Sequence, residues 1–318
     1  MTEFEIIRRY FARPSRTAVL GVGDDAALIR PRAGATLAVS TDMLLAGRHF
    51  FPEADPGGLG HKVLAVNLSD LAAMGAEPRW ALLAIALPRA DPKWIAAFAR
   101  GFFRLARRFG TELIGGDTTK GPLAISVTVI GELARKSALR RDAARAGDDL
   151  WLSGATGEAA LALAHLGGRV KLAGAARSDC LSRLHTPEPR VRLGRALRGL
   201  AHGAIDVSDG LLADLGHIAS ASGVAAELRI EDLPRAPAIA GCPNTALATR
   251  CMLAGGDDYE LLFTAPRSAR SGIAAAGRKS GVRVTAIGSI VAGRPGVRLR
   301  GAGGRIIPTP RGGFDHFA

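Results

Sequence analysis

Five times in this chain an apolar run gives way to small residues and an aspartate. Ala18-Val19-Leu20 leads to Gly21-Val22-Gly23-Asp24-Asp25, and the same grammar recurs at Ser40-Thr41-Asp42, Gly115-Gly116-Asp117-Thr118, Asp206-Val207-Ser208-Asp209-Gly210 and Gly255-Gly256-Asp257-Asp258. Apolar runs bounded by such turns read as strands, and with helical stretches between them they describe an α/β chain. The adjacent carboxylates of Asp24 and Asp25 repel each other, so a cation is the expected reason to keep them together. One aspartate beside glycine is usually a turn or cap residue. Recurrence shifts the reading toward function, and the expectation is that these ends converge on one metal-phosphate site.

At 318 residues the chain exceeds the usual single core, which predicts two domains. The boundary is expected near the polar, Arg- and Ala-rich run 135–147, giving domains of residues 1–134 and 135–318. The formal net charge of +13 invites a nucleic-acid reading, but only six of the 42 basic residues are lysine and aromatics make up 5%. No basic run interleaves with aromatics, so dispersed arginines on solvated helix faces are the better account and no nucleic-acid partner is expected. Cys180, Cys242 and Cys251 lack metal-ligand spacing and read as reduced thiols. No apolar run reaches the length of a membrane span and the N-terminus lacks a secretion signal, so the expected compartment is the cytoplasm.

Residues 2–12 form an expected amphipathic helix with Phe4, Ile7 and Phe11 on one face. Gly21-x-Gly23-x-x-Ala26 followed by Asp42 imitates a dinucleotide fingerprint, but Pro31 and the turn after it leave no room for the helix that motif needs. A helix is predicted over 58–75, with Leu64, Leu68 and Leu71 inward and Asn67 and Asp70 on a neighbouring face. Asp91-Pro92 opens the clearest helix, carrying Trp94, Phe98, Phe102, Leu105 and Phe109 inward and stopping at Gly110. Strands are expected at 80–87, 123–132, 150–153, 204–207, 259–263 and 282–290, helices at 187–200, 211–220 and 268–280, and a hairpin at 297–307. The amides opening the helix at Leu211 are expected to face the same place as the aspartates. No G-x-x-x-x-G-K-[ST] occurs, which excludes a P-loop.

Aspartates flanked by Ser, Thr and Gly, with no His or Cys among them, suit magnesium rather than zinc. The set Gly-Val-Gly-Asp-Asp, Val-Ser-Thr-Asp-Met with His49 seven onward, Asn-Leu-Ser-Asp-Leu-Ala-Ala-Met-Gly-Ala, Leu-Ile-Gly-Gly-Asp-Thr-Thr, Asp-Val-Ser-Asp-Gly-Leu, Gly-Gly-Asp-Asp-Tyr-Glu-Leu and the closing Phe-Asp-His-Phe resembles the thiamine-monophosphate kinase family over the whole chain. The resemblance implies a two-domain aminoimidazole-ribonucleotide synthetase-like (PurM-like) α/β fold with an N-terminal mixed sheet used in dimerisation. It also implies ATP-dependent phosphorylation of thiamine monophosphate to thiamine diphosphate, several Mg2+ ions and a homodimer. Carried over by position, Asp25, Ser40, Thr41, Asp42, Asp70, Asp117, Asp206 and Asp209 are the implied magnesium ligands. Gly116, Asp117, Arg141 and Ser208 are the implied ATP contacts, and His49, Asp257 and Phe314 the substrate contacts.

Three positions depart from the family pattern. Asp257 stands where Glu is common, Phe314 where Tyr or Trp is often found, and Ala99 where many members carry an aromatic near the nucleotide. The chemistry agrees with the residue types. A phosphate monoester with its second pKa near ~6 is already largely ionised at neutral pH, so no general base is required. The competing readings are another ATP-using synthetase of the same superfamily and a basic nucleic-acid-binding protein.

Overall fold

The structure, a computed structural model, describes residues 1–308. The chain divides into two compact units, residues 1–71 with 76–136, and residues 72–75 with 137 onward. No helix among the described residues is long and apolar enough to cross a membrane.

In the first unit a capping box opens α1 (Glu3–Ile6): the Thr2 side chain accepts from Glu5 N–H while the Glu5 carboxylate accepts from Thr2 N–H. A π-helical turn carries the chain on to Phe11. β1 (Ala18–Leu20) and β2 (Leu28–Ile29) pair antiparallel around the acidic turn, with no helix between them, so the dinucleotide fingerprint is absent as expected. The main sheet holds β3 (Ala35–Leu45), β4 (Glu77–Leu87), β5 (Glu112–Lys120) and β6 (Ala124–Ala134) in the order β3-β6-β4-β5. It is mixed, because β4 and β5 run parallel while the other neighbours are antiparallel.

That parallel pair needs a crossover, which α3 (Pro92–Phe109) supplies. Asp91 caps it by accepting from Lys93 and Trp94 N–H, and Gly110 ends it at φ 65°, as the sequence predicts. α2 (Pro56–Ala73) is the other long helix of this part of the chain. A Cβ on Gly101 would lie 1.8 Å from the Gly57 carbonyl oxygen, and one on Gly60 2.1 Å from that of Phe98. The two helices therefore touch backbone to backbone, and glycine is obligatory at both positions.

The second unit is built on β7 (Asp149–Ser153), β8 (Gly203–Asp206), β9 (Ala225–Arg229), β10 (Leu261–Ala265), β11 (Val284–Val291), β12 (Gly296–Arg300) and β13 (Ile306–Ile307), in the order β13-β12-β9-β11-β7-β10-β8. All neighbours are antiparallel except β12 with β9. Leu150, Leu152, Ile205, Leu262 and Ile287 face a core shared with α4 (Glu158–Leu166), α5 (Gly174–His185), α7 (Leu211–Ser222) and α9 (Thr245–Ala254). α6 (Val191–Leu197), α8 (Pro237–Ala240) and α10 (Arg270–Ser280) complete its helices. Burial pushes the Cys180 and Cys251 thiols up to about 12 and about 11, so they are packing residues.

Several sequence expectations need correction. Ser40-Thr41-Asp42 and Gly115-Gly116-Asp117 lie inside strands, because β3 pairs with β6 along its whole length and β5 runs on beside β4. The helix expected over 187–200 is confined to Val191–Leu197. α5 and β9 carry weak periodicity and were not anticipated. The strand expected from Tyr259 begins at Leu261, since Tyr259 takes a left-handed φ of 51°.

Candidate active site

Alternation along β3 sorts its polar residues by face. Ser40 and Asp42 point toward α2. The Ser40 hydroxyl donates to Asp70 Oδ2 at 2.5 Å, and Asp42 N–H donates to Asn67 Oδ1 at 3.0 Å. Asn67 is fully buried, and its Nδ2 donates back to the Val63 carbonyl at 2.9 Å, so one neutral side chain ties the strand at Asp42 to the helix that carries Asp70. Thr41 stands on the opposite face, its hydroxyl 2.8 Å from that of Thr128. A metal contact from Thr41 on the Ser40 side would therefore come from its main chain.

Asp117 is exposed on β5, directly after Gly116, whose φ of 143° and approach to Leu83 leave no space for a Cβ. In the acidic turn Gly23 has a φ of 130°, and Asp24 Oδ1 accepts from Asp25 N–H at 2.9 Å. Asp24 shapes the turn, while Asp25 is exposed. His49 Nδ1 accepts from Leu45 N–H at 3.0 Å, which leaves the ring proton on Nε2 in the neutral form. A groove of about 400 Å³ is lined by Tyr10, Arg13, Ala99, Arg100, Phe103 and Arg104. Tyr10 and Phe103 give it aromatic surface where Ala99 gives none.

In the second unit β8 ends at buried Asp206, and Ser208-Asp209-Gly210 turns into α7. The amides of that turn are not open to a ligand. Ser208, Asp209 and Gly210 N–H all donate to Asp214 Oδ2, at 3.1, 3.2 and 3.1 Å. A carboxylate one turn into the helix thus occupies the anion position at the head of α7. Burial, followed by the charge of Asp209, pushes Asp214 up to about 7, against the pull of its three N–H donors. Asp209, Asp214 and His217 offer ligand atoms within 4.8 Å of one another, the one such group among the described residues.

The segment 255–260 lies against this turn. Asp257 N–H donates to the Ser208 carbonyl and Tyr259 N–H to that of Val207, each at 2.8 Å, and a Cβ on Gly256 would meet the Ser208 oxygen at 2.3 Å. Asp258 is buried, with both carboxylate oxygens 2.9 Å from Gly157 N–H, and burial holds its carboxyl well above the usual range. Glu260 accepts from Ser153 Oγ at 2.5 Å and from the Arg190 guanidinium. The Tyr259 hydroxyl donates to Asp257 Oδ1 at 2.9 Å. Arg141 is exposed, its carbonyl accepting from Ser222 Oγ at 2.9 Å. Phe314 lies outside the described residues.

Asn67, Asp214 and Tyr259 escaped the sequence reading as site residues. Each was visible as a polar residue at helix or turn spacing from a candidate, but only the folded chain shows which atom it holds. The candidates that the structure brings together at β3 and α2, Ser40, Asp42 and Asp70, are oxygen donors, and such donors fit a hard, oxygen-seeking cation such as magnesium.

The model of the AIR synthase related protein N-terminal domain matches residues 23–133, and that of its C-terminal domain residues 145–300. The thiamine-monophosphate kinase of Escherichia coli (strain K12) is 44% identical over 320 residues, covering 99% of this chain and 98% of that protein. A crystal structure of thiamine-monophosphate kinase from Stenotrophomonas maltophilia K279a superposes with a TM-score of 0.86 at 46% identity, covering 96% of each chain. AaThiL complexed with AMPPCP and TMP superposes with a TM-score of 0.78 at 29% identity, covering 91% of this chain and 89% of that one.

Proposed function

The chain belongs to the thiamine-monophosphate kinase family of AIR synthase related proteins, and from that premise we propose that it transfers the γ-phosphoryl group of ATP to thiamine monophosphate, giving thiamine diphosphate and ADP. The observation that carries the reading is identity at the level of these kinases across 99% of the chain. The binding of AMPPCP and TMP by AaThiL agrees with it.

A phosphate oxygen of thiamine monophosphate attacks the γ-phosphorus in line, and the bond from that phosphorus to the β–γ bridging oxygen breaks. The attacking oxygen already carries charge, so the residues present need not remove a proton. Their task is to hold two polyanions in register against repulsion. Bound magnesium would supply the positive charge that offsets this repulsion.

Asp25, Ser40, Asp42, Asp70 and Asp117, with the main chain of Thr41, are assigned to magnesium in the first unit, and Asp206 and Asp209 in the second. Asn67 holds the backbone at Asp42, and the Ser40 hydroxyl orients the Asp70 carboxylate. Gly116, Asp117, Arg141 and Ser208 are assigned to ATP. The aromatic walls of the groove at Tyr10 and Phe103 stand near the position where Ala99 replaces the family's aromatic. His49, through protonated Nε2, and Asp257 are assigned to thiamine monophosphate, with Phe314 from the tail. On this reading residues 1–134 carry most nucleotide and metal contacts, and 135–318 contribute substrate and further metal contacts.

The outer face of β3 exposes Val39, Met43 and Leu45, and β1 and β2 expose Val19, Leu20 and Leu28. An exposed apolar strip on a sheet face favours a second copy of the chain, hence a homodimer through the N-terminal strands. Dependence on ATP and magnesium is compatible with the cytoplasm, the compartment assigned to the reaction. Incubation with ATP, magnesium and thiamine monophosphate tests the reading. Thiamine diphosphate and ADP are expected in equal amounts, and their absence under saturating conditions would refute it.

A further inference from the structure

We propose that Tyr259 is a positioning residue that fixes the carboxylate of Asp257 for thiamine monophosphate, an inference that rests on the substrate role assigned to Asp257 above. Asp257 and Tyr259 are two of only three non-glycine residues at positive φ among the described residues, at 67° and 51°. A left-handed conformation is tolerable for aspartate and an outlier for a bulky aromatic, so it persists only where the surroundings impose it. They do so here at four points: Asp257 N–H on the Ser208 carbonyl, Tyr259 N–H on that of Val207, Val207 N–H on that of Glu260, and the buried Asp258 carboxylate on Gly157 N–H.

The consequence lies in the side chains. In an extended segment residues i and i+2 share a face about 6.5–7 Å apart, and nothing in the backbone itself aims a tyrosine hydroxyl at an aspartate two residues earlier. The left-handed turns at 257 and 259 fold the segment so that the buried Tyr259 ring brings its hydroxyl within 2.9 Å of Asp257 Oδ1. Aspartate has one methylene fewer than glutamate and so a shorter reach. A hydroxyl that donates to it selects one rotamer of that short arm, so less freedom is lost when substrate binds. A carboxylate repels the substrate's phosphate, which directs Asp257 toward the cationic heterocyclic end of thiamine monophosphate.

Steady-state kinetics of full-length Tyr259→Phe test the proposal. The KM for thiamine monophosphate is expected to rise about tenfold, with the KM for ATP and kcat at saturation changed by less than about twofold, the cost of one charge-assisted hydrogen bond. In the double variant with Asp257→Ala, Tyr259→Phe should add nothing to the effect of Asp257→Ala. An unchanged KM, or effects that multiply in the double variant, would overturn it. So would a parallel loss of kcat, both KM values and melting temperature, which marks a merely structural tyrosine.

Because the chain has only two tyrosines, 3-fluorotyrosine labelling gives a second readout that does not require Tyr259→Phe to fold. Tyr10→Phe assigns the two 19F signals. Thiamine monophosphate should shift that of Tyr259 in the wild type and fail to shift it in Asp257→Ala, whereas a signal unmoved by substrate in the wild type overturns the link. A wild type that makes thiamine diphosphate while Tyr259→Phe is normal refutes only this inference. A wild type inactive on thiamine monophosphate refutes the assigned function, and the inference falls with it.

Discussion

Asn67 shows how much a neutral residue can contribute to a charged site. Its two ends bond Asp42 N–H and the Val63 carbonyl while the side chain is fully buried, so removing it cuts the tie between β3 at Asp42 and α2 and leaves buried polar groups unpaired. Asn67→Ala should raise the magnesium concentration for half-maximal rate about tenfold while the KM for thiamine monophosphate stays put; an unmoved magnesium dependence would show that the tie is dispensable. For the ligands themselves the expected loss is larger. Asp42→Asn and Asp117→Asn should lower kcat by at least ~100-fold with melting temperature preserved, and near-normal turnover at saturating magnesium would contradict their assignment. The candidates were readable because aspartates recur beside small residues. Their supports were not, since an asparagine inside an apolar helix looks alike whether it holds a strand or faces solvent.

Among the elements, α3 was legible in full, because Asp91, Pro92 and Gly110 are local signals and its aromatic stripe is periodic. β3 and β5 were legible only in part. Local sequence marks where small residues interrupt an apolar run, but the length of a strand is set by its neighbour, and β6 and β4 carry the pairing straight through Ser40–Asp42 and Gly115–Asp117. At the opening of α7 the sequence marks a helix start beside aspartates, but only the fold shows that Asp214 takes its amides. Asp214→Ala would leave those three donors without their acceptor in a buried turn, so the second unit should lose about 1–3 kcal/mol of stability and ATP should bind more weakly. Denaturant unfolding together with nucleotide titration checks both, and a variant unaltered in either would show that water replaces the carboxylate without cost.

For the whole molecule, the proposed assembly and the pH response are properties of the folded chain. If the outer face of β3 joins two copies, Met43→Asp should convert a dimer to monomers in sedimentation experiments, whereas an unchanged dimer would place the interface elsewhere. The buried carboxyl of Asp258 is held above its ordinary value of 3.8, so its neutral form is favoured in the native state. That stability is present at low pH and is lost as pH rises through the raised value. Melting temperature should therefore fall with rising pH more steeply in the wild type than in Asp258→Asn, and parallel curves would show that Asp258 ionises freely. By itself the sequence determined the α/β class, the clearest helix and the aspartates, because periodicity, capping and turn chemistry act over a few residues and leave a local trace. Only the tertiary structure decided which face of β3 each polar residue takes, that Asp214 fills the opening of α7, and that Tyr259 bends back onto Asp257. Those outcomes depend on pairing register and on close approach between segments distant in the chain, of which no short stretch carries a record.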